Sequence, residues 1–361
     1  MGALDLTGDH LGDEKIVQAP HMADIQHGTA EAERPVRVLY IMGAGRSGST
    51  LLDAVLASHP DAFGSGELAN LHRAGWSSNE ICSCGQLGSE CEFWTRVRSA
   101  WQRRVPTATV AGFVALQKRF EIPNWSGLFQ SVRQLFSRTE DFQSYLRQTE
   151  ALYQAIAEVS GRSVIIDSSK TPIRGTLLSR IRGLDVRWVH LVRDVRAVAW
   201  SRQKSLAADQ NAGVQTPIKP RPTWYSASYW AYLNLLSTLV CLFHRKRSLR
   251  LRYEDVVTEP QQALARLSEC CGLDYSNTVA ALMRGDPIRV EHAIAGNRMR
   301  MNGSIRIKPD WEWRDRLPLR EQAVCWLCAG WLLLAYGYAR IRRTPTAAEV
   351  ALQPTNATRT V

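Results

Sequence analysis

The feature that most restricts the fold is the segment VRVLYIMGAGRSGSTLLDAVLA, residues 36–57. Val36–Met42 is a largely apolar run rich in β-branched and aromatic side chains, and it reads as a central buried strand. It ends at Gly43, Gly45 and Gly48. Leu51, Leu52, Val55 and Leu56 then recur at helical spacing until His59-Pro60 closes the helix. A strand that feeds a glycine-rich turn into a helix leaves backbone N–H groups free at the helix start. The helix dipole adds positive potential there, so the turn is a seat for an anion.

Two phosphate patterns overlap on this turn. The G-x-x-x-x-G-K-[ST] pattern is met by Gly43, Gly48 and Thr50, but Ser49 stands in the lysine's place. A nucleoside triphosphatase needs that lysine on the β/γ-phosphates, and the only cation in the turn is Arg46. The G-x-G-x-x-G pattern is met by Gly43, Gly45 and Gly48. It needs a second strand ending in an acid about twenty residues on. Glu67 stands near that place, but HPDAFGSGE is a poor strand. Residues alone leave both readings open.

The rest of the chain continues the strand–helix alternation. Ser163–Ser169, Val186–Asp194 and Leu249–Val257 read as further strands, the last with its exit turn. A short helical piece with Leu177, Leu178 and Ile181 lies between the first two. A block from about 91 to 161 has helical periodicity, and its last helix is expected to open on a capping box of Ser137 and Glu140 and to close at Gly161. The expected class is α/β: a three-layer sandwich, similar to that of the phosphate-loop proteins, with a mostly parallel sheet between helices and a helical insertion. The expected organisation is a polar tail over 1–34, one α/β domain over 35–343 and a second tail over 344–361.

Of 361 residues, 45 are basic and 34 acidic, a net charge of +11 that favours anionic partners without choosing among them. No basic segment followed by an apolar one opens the chain, so no secretory leader is expected and the expected location is cytoplasmic. Ala323–Ala339 carries no charge. It falls short of the ~20 apolar residues of a membrane span and is expected to be a core helix, with membrane contact as the alternative. Among eight cysteines, Cys82, Cys84 and Cys91 in CSCGQLGSEC read as thiols in a tight loop, a disulfide or a metal site. The paired C-x-x-C spacing of a strong zinc signature is missing, and no fourth ligand is evident. Cys325 and Cys328 lie one helical turn apart in an apolar helix and read as core. So does His190, inside a strand.

HLVRDVRAVAWSR forms a second constellation. Arg193 ends a strand, Asp194 is placed to cap the next helix, and Ser201 lies about two turns into it. An arginine and a hydroxyl converging at a strand's C-terminal end make a second anion pocket on the same sheet.

With these residues in view, the chain resembles the sulfotransferases that use 3′-phosphoadenosine-5′-phosphosulfate (PAPS), and bacterial members above all. GAGRSGSTLL is similar to their 5′-phosphosulfate loop, and VRDVRAVAWSR to their 3′-phosphate site. DSSKTP is similar to their lysine-bearing strand end, and LRYEDVV and HAIAGNRMR also resemble family segments. The likeness runs from about Val36 to Tyr338. It implies that the anion is a phosphosulfate, with Arg46 standing where relatives often carry lysine. It also implies that Ser47, Gly48, Ser49 and Thr50 cradle the 5′-phosphate, and that Arg193 and Ser201 hold the 3′-phosphate. Arg298 and Arg300 are candidates to complete that pocket. Adenosine 3′,5′-bisphosphate would be the product, with no metal required for transfer.

Cytosolic animal members place a histidine after the lysine-threonine pair. Here that position is Pro172, so the resemblance moves the general base to Glu67, as in carbohydrate-type and several bacterial members. Lys170 is expected either to steady the sulfuryl group or to pair with Asp167. The expected acceptor is a hydroxyl or amine of a small molecule, glycan or glycolipid, and no nucleic-acid partner is expected. Several of the twelve tryptophans (Trp76, Trp94, Trp101, Trp125, Trp224, Trp230) read as an acceptor wall or as core. Two other functions compete: a nucleotide kinase or switch lacking the usual lysine, and a non-enzymatic protein docking through the basic run His244–Arg252.

Overall fold

The computed structural model describes residues 35–77, 80–121, 139–205, 217 and 219–338. Strand β1 (Val36–Met42) leads through the glycine-rich turn into helix α1 (Ser49–Ala57), followed by a short strand β2 (Ala62–Gly64). Three helices follow: α2 (Glu92–Arg104), α3 (Val110–Phe120) and α4 (Glu140–Ser160). Strand β3 (Val164–Lys170), helix α5 (Pro172–Leu178), strand β4 (Leu184–Val192) and helix α6 (Val195–Gln203) complete two more strand–helix units. The long helix α7 (Thr223–Phe243) precedes β5 (Ser248–Arg252), α8 (Tyr253–Thr258), α9 (Pro260–Cys271) and α10 (Ser276–Met283). A two-stranded ribbon of β6 (Ile288–Arg289) and β7 (Ser304–Ile305) lies ahead of α11 (Trp313–Arg316) and α12 (Leu319–Ala335).

The five main strands form one wholly parallel sheet in the order β2-β3-β1-β4-β5. The α/β class read from the sequence therefore holds. β1 is central, and alternate residues enter two cores. Val38, Tyr40 and Met42 join Trp94, Trp101, Phe142 and Tyr153 on one face. Leu39 and Ile41 join Leu51, Leu52, Val55 and Leu56 of α1 on the other. Burial on both faces is why β1 reads as a continuous apolar run rather than an alternating one.

Several expectations need correction. HPDAFGSGE does contain a strand: β2 is only three residues long and lies at the sheet edge, where pairing with β3 replaces strong propensity. The exit turn of β5 is helix α8, since Tyr253 follows Arg252 directly into a helical turn. Ser137 of the expected capping box lies outside the described residues, and the cap position of α4 is Thr139. Gly161 closes α4 in a left-handed conformation, as expected.

Helix α12 is not a core helix all round. Cys325, Ala329 and Leu333 are buried, whereas Leu327 is 87% and Trp331 56% exposed. Among the described residues one helix, α7, is long and apolar enough to cross a membrane, and 50% of its most apolar window is buried in protein. The tryptophan wall also dissolves. Trp76, Trp94, Trp101 and Trp230 are core, Trp224 is exposed, and Trp125 lies outside the described residues. His190 is a core residue: it bonds Asn234 at 2.9 Å, and burial lowers its pKa to about 4.

Candidate active site

A cleft of about 640 Å³ opens at the C-terminal ends of β3, β1 and β4. This is where a parallel α/β sheet offers free loop backbone and helix starts to a ligand. Its floor is the glycine-rich turn. Gly48 caps α1 with φ 90°, a left-handed conformation that glycine adopts at no steric cost. A Cβ on Gly48 would also stand 2.4 Å from Tyr253 Cδ2, so the position is closed to any side chain. The first turn of α1 has no side-chain cap, and its leading amides lack intrahelical partners.

Among the described residues, nine cationic side chains and three carboxylates line this cleft. Arg46 makes no ion pair among the described residues; its Nε donates to Ser201 Oγ at 3.0 Å. Burial, then the guanidiniums of Arg202, Arg193 and Arg298, hold its pKa below the usual arginine value. Like charges gathered in a partly desolvated hollow raise one another's energy, and a bound anion relieves that cost.

Arg193 and Ser201, expected to form a second pocket on the same sheet, both touch the turn through Arg46. Arg193 Nη1 donates to the Arg46 carbonyl at 3.1 Å, Nη2 binds Asp310 Oδ2 at 2.9 Å, and the guanidinium lies 4.4 Å from the Tyr253 ring centre. Asp194 caps α6 by accepting from the Arg196 amide at 2.9 Å. Two residues that sequence reasoning missed thus belong here, Tyr253 and Asp310. Tyr253 lay inside the quoted LRYEDVV; nothing near Asp310 marks it.

Lys170 pairs with Glu67 through Nζ and Oε1, and Asn70 Nδ2 steadies the other oxygen of Glu67 at 2.9 Å. The expected alternative, a Lys170–Asp167 pair, is not what forms. Asp167 is wholly buried and takes Arg174 Nε at 3.2 Å, the Tyr153 hydroxyl at 2.6 Å and the Ser169 amide at 2.9 Å. Leu68 and Ala69 donate their amides to Asp167 and Ser169, so the end of β3 fixes the loop that carries Glu67. Gly66 lies against Ile294, whose carbonyl accepts the Glu67 amide at 3.0 Å.

Three non-glycine residues have positive φ among the described residues: Arg46 (75°), Lys170 (73°) and Ala295 (52°). All three line the cleft. Such conformations cost on the order of 1–3 kcal/mol each and persist where the surroundings over-determine them.

Gly48, Ser49, Thr50, Arg298 and Arg300 also line the cleft. Thr50 Oγ1 accepts from the Asn297 amide at 3.1 Å, tying α1 to the segment that brings Arg298 in. Ser47 departs from expectation: it is 1% exposed, is not on the cleft wall, and its hydroxyl has no partner among the described residues. Arg300 reaches the cleft edge but is buried, with Nη1 donating to the Ile81 carbonyl at 2.9 Å. Its role as a ligand-facing cation is thereby weakened.

A profile of the sulfotransferase family matches residues 39–277, well over half of the chain. The chain belongs to the sulfotransferase family. Among solved structures it is similar to the sulfotransferase domain of the Synechococcus PCC 7002 olefin synthase, with 20% identity, a TM-score of 0.39, and 82% of this chain and 95% of that one covered. For the sulfotransferase domain of the curacin biosynthetic pathway the values are 20%, 0.44, 83% and 98%. For a Mycobacterium avium sulfotransferase they are 13%, 0.42, 85% and 78%. No curated protein matches the chain.

Proposed function

We propose that this sulfotransferase moves a sulfuryl group from PAPS to a hydroxyl or amine of a small-molecule acceptor. The observation that carries this reading is a single cation-rich cleft joining the glycine-rich turn to the Arg193–Ser201 pair. A helix-start anion seat adjoining an arginine–serine pair in one cleft suits a donor with more than one phosphate group. The absent loop lysine argues against a triphosphate. The residues fit the donor: Arg46 has no carboxylate partner among the described residues, and the start of α1 offers free amides.

PAPS, when bound, supplies an activated sulfuryl group whose bond to the bridging phosphate oxygen breaks as the acceptor's bond to sulfur forms. The amides of Gly48, Ser49 and Thr50 hold the 5′ end, and Arg46 faces the charge that develops on the leaving oxygen. Arg193 and Ser201 hold the 3′-phosphate, with Arg298 beside them. Lys170 turns from Glu67 toward the sulfuryl oxygens, which frees Glu67 Oε1 to accept the acceptor's proton. For glycans and glycolipids, the other acceptor classes expected from the sequence, the buried tryptophans offer no stacking wall.

Calorimetry tests the donor directly. Adenosine 3′,5′-bisphosphate is expected to bind the wild type, and Mg·ATP to bind far more weakly. The reverse order would return the chain to the kinase reading. Transfer of labelled sulfate from PAPS to an acceptor panel tests the reaction, and Arg46→Ala is expected to abolish it.

A further inference from the structure

We propose that Cys82, Cys84, Cys91 and His292 form a structural zinc site that fastens the 80–91 loop to the segment lining the cleft. His292 is the fourth ligand that the sequence reading lacked, standing 201 residues beyond Cys91. The three Sγ atoms and one ring nitrogen lie within 4.8 Å of one another. Cys84 Sγ stands 3.7 Å from Cys91 Sγ, and Cys91 Sγ stands 3.4 Å from His292 Nδ1. A tetrahedral ion with Zn–S of about 2.3 Å and Zn–N of about 2.0 Å has S···S and S···N edges of about 3.8 and 3.5 Å. A disulfide needs sulfurs at about 2.05 Å and uses only two of the four donors.

The surroundings hold the donors in place. Gly85, at φ 91°, turns the chain between Cys84 and Gln86, and the Gly85 amide bonds the Cys82 carbonyl at 2.9 Å. Cys91 is the N-cap of α2, where a thiolate is favoured by the helix dipole. The His292 ring stacks on Phe93 with centroids 5.0 Å apart and planes at 8°, and its carbonyl accepts from Trp94 Nε1 at 2.8 Å. Binding would release to solvent whatever protons the thiols still carry, leaving three thiolates, a neutral imidazole and a dication, a net charge of about −1. Arg300, buried and with no ion-pair partner among the described residues, lies alongside. Its Nη1 donates to the carbonyls of Ile81 and Ala293, each next to a ligand. An anionic centre there gives that buried guanidinium its counter-charge.

The consequence reaches the cleft. The residues just after His292 include Ala295, Gly296, Asn297 and Arg298, all on the cleft wall. The ion would therefore set the position of that wall without touching a substrate.

The test uses the full chain, tag removed and prepared without chelator. Elemental analysis is expected to find about one zinc per chain, and Cys84→Ser and His292→Ala to lose most of it. Wild-type protein stripped of metal and given Co²⁺ is expected to show thiolate-to-cobalt charge transfer and tetrahedral ligand-field bands, a readout independent of how the variants fold. Negligible metal together with no cobalt bands would overturn the proposal. So would stoichiometric iron in place of zinc, or a native Cys84–Cys91 disulfide in the peptide map.

Discussion

Lys170 and Glu67 face each other as an ion pair at the cleft, side chains 19% and 13% exposed, although 103 residues separate them in the chain. Each is the other's restraint. Lys170 holds a left-handed backbone at the end of β3, and Glu67 follows the Gly66 turn against Ile294. If Glu67 takes the acceptor proton, Glu67→Gln is expected to lower kcat by about 10²–10⁴-fold. The Kd for adenosine 3′,5′-bisphosphate should hardly move. A wild-type rate in single-turnover transfer would remove Glu67 from the chemistry.

Ser201 and Asp310 act on the 3′-phosphate seat in opposite senses. Ser201→Ala removes one hydrogen bond to Arg46 and is expected to weaken bisphosphate binding about fivefold, near 1 kcal/mol. Asp310→Asn removes a carboxylate that competes with phosphate for Arg193 and is expected to tighten binding by about three- to tenfold. Calorimetry on the two variants checks both signs. Weaker binding in Asp310→Asn would mean that the carboxylate positions Arg193 rather than competes for it.

Gly48→Ala sets a methyl against the Tyr253 ring at a position with φ 90°. The expected loss is on the order of 1–3 kcal/mol in urea denaturation. Bisphosphate affinity should fall with it, because Tyr253 supports Arg193. An unchanged midpoint would show that the ring gives way freely.

Asp53 lies under the Glu67 loop and accepts the Gly66 amide at 3.2 Å. Burial raises its pKa to about 7, above the value of about 4 expected when unfolded. The folded state therefore holds its proton more tightly, and this group's contribution to stability is lost as pH rises from about 4 to about 7. The span is on the order of 4 kcal/mol. Asp53→Asn should remove that loss, so its stability relative to the wild type improves with pH across this window. Chemical denaturation at pH 5 and pH 8 measures the difference. His190 works the other way: with its pKa lowered to about 4, stability falls as pH drops from about 6.5.

Legibility in the sequence followed the strength of local pattern. β1 and β4 are largely apolar runs and β3 opens on one, which made all three legible: the bounds of β1 were read to the residue, those of β3 within one and those of β4 within two. β2 was discounted because a three-residue edge strand has too few side chains to show a period. α8, at six residues, passed for a turn. At the cleft, the glycine turn and the Arg193–Ser201 couple were legible because each sits within one strand–helix junction. Asp310 and His292 were not, because their partners come from distant parts of the chain and only folding makes them neighbours. The Lys170 partner was misjudged for a related reason. Asp167 is three residues away in sequence, but it lies inside the core where Arg174 claims it.

The order β3-β1-β4 makes the sheet a ruler. Lys170 ends β3, the glycine turn leaves β1, and Arg193 follows β4, so the backbones that carry the three groups start from neighbouring strands set roughly 4.8 Å apart. Substitution can delete a mark on that scale but cannot slide one along it. The sheet thus fixes where each of the three groups leaves the core, and only the loops beyond the strand ends are free to vary the reach of the side chains.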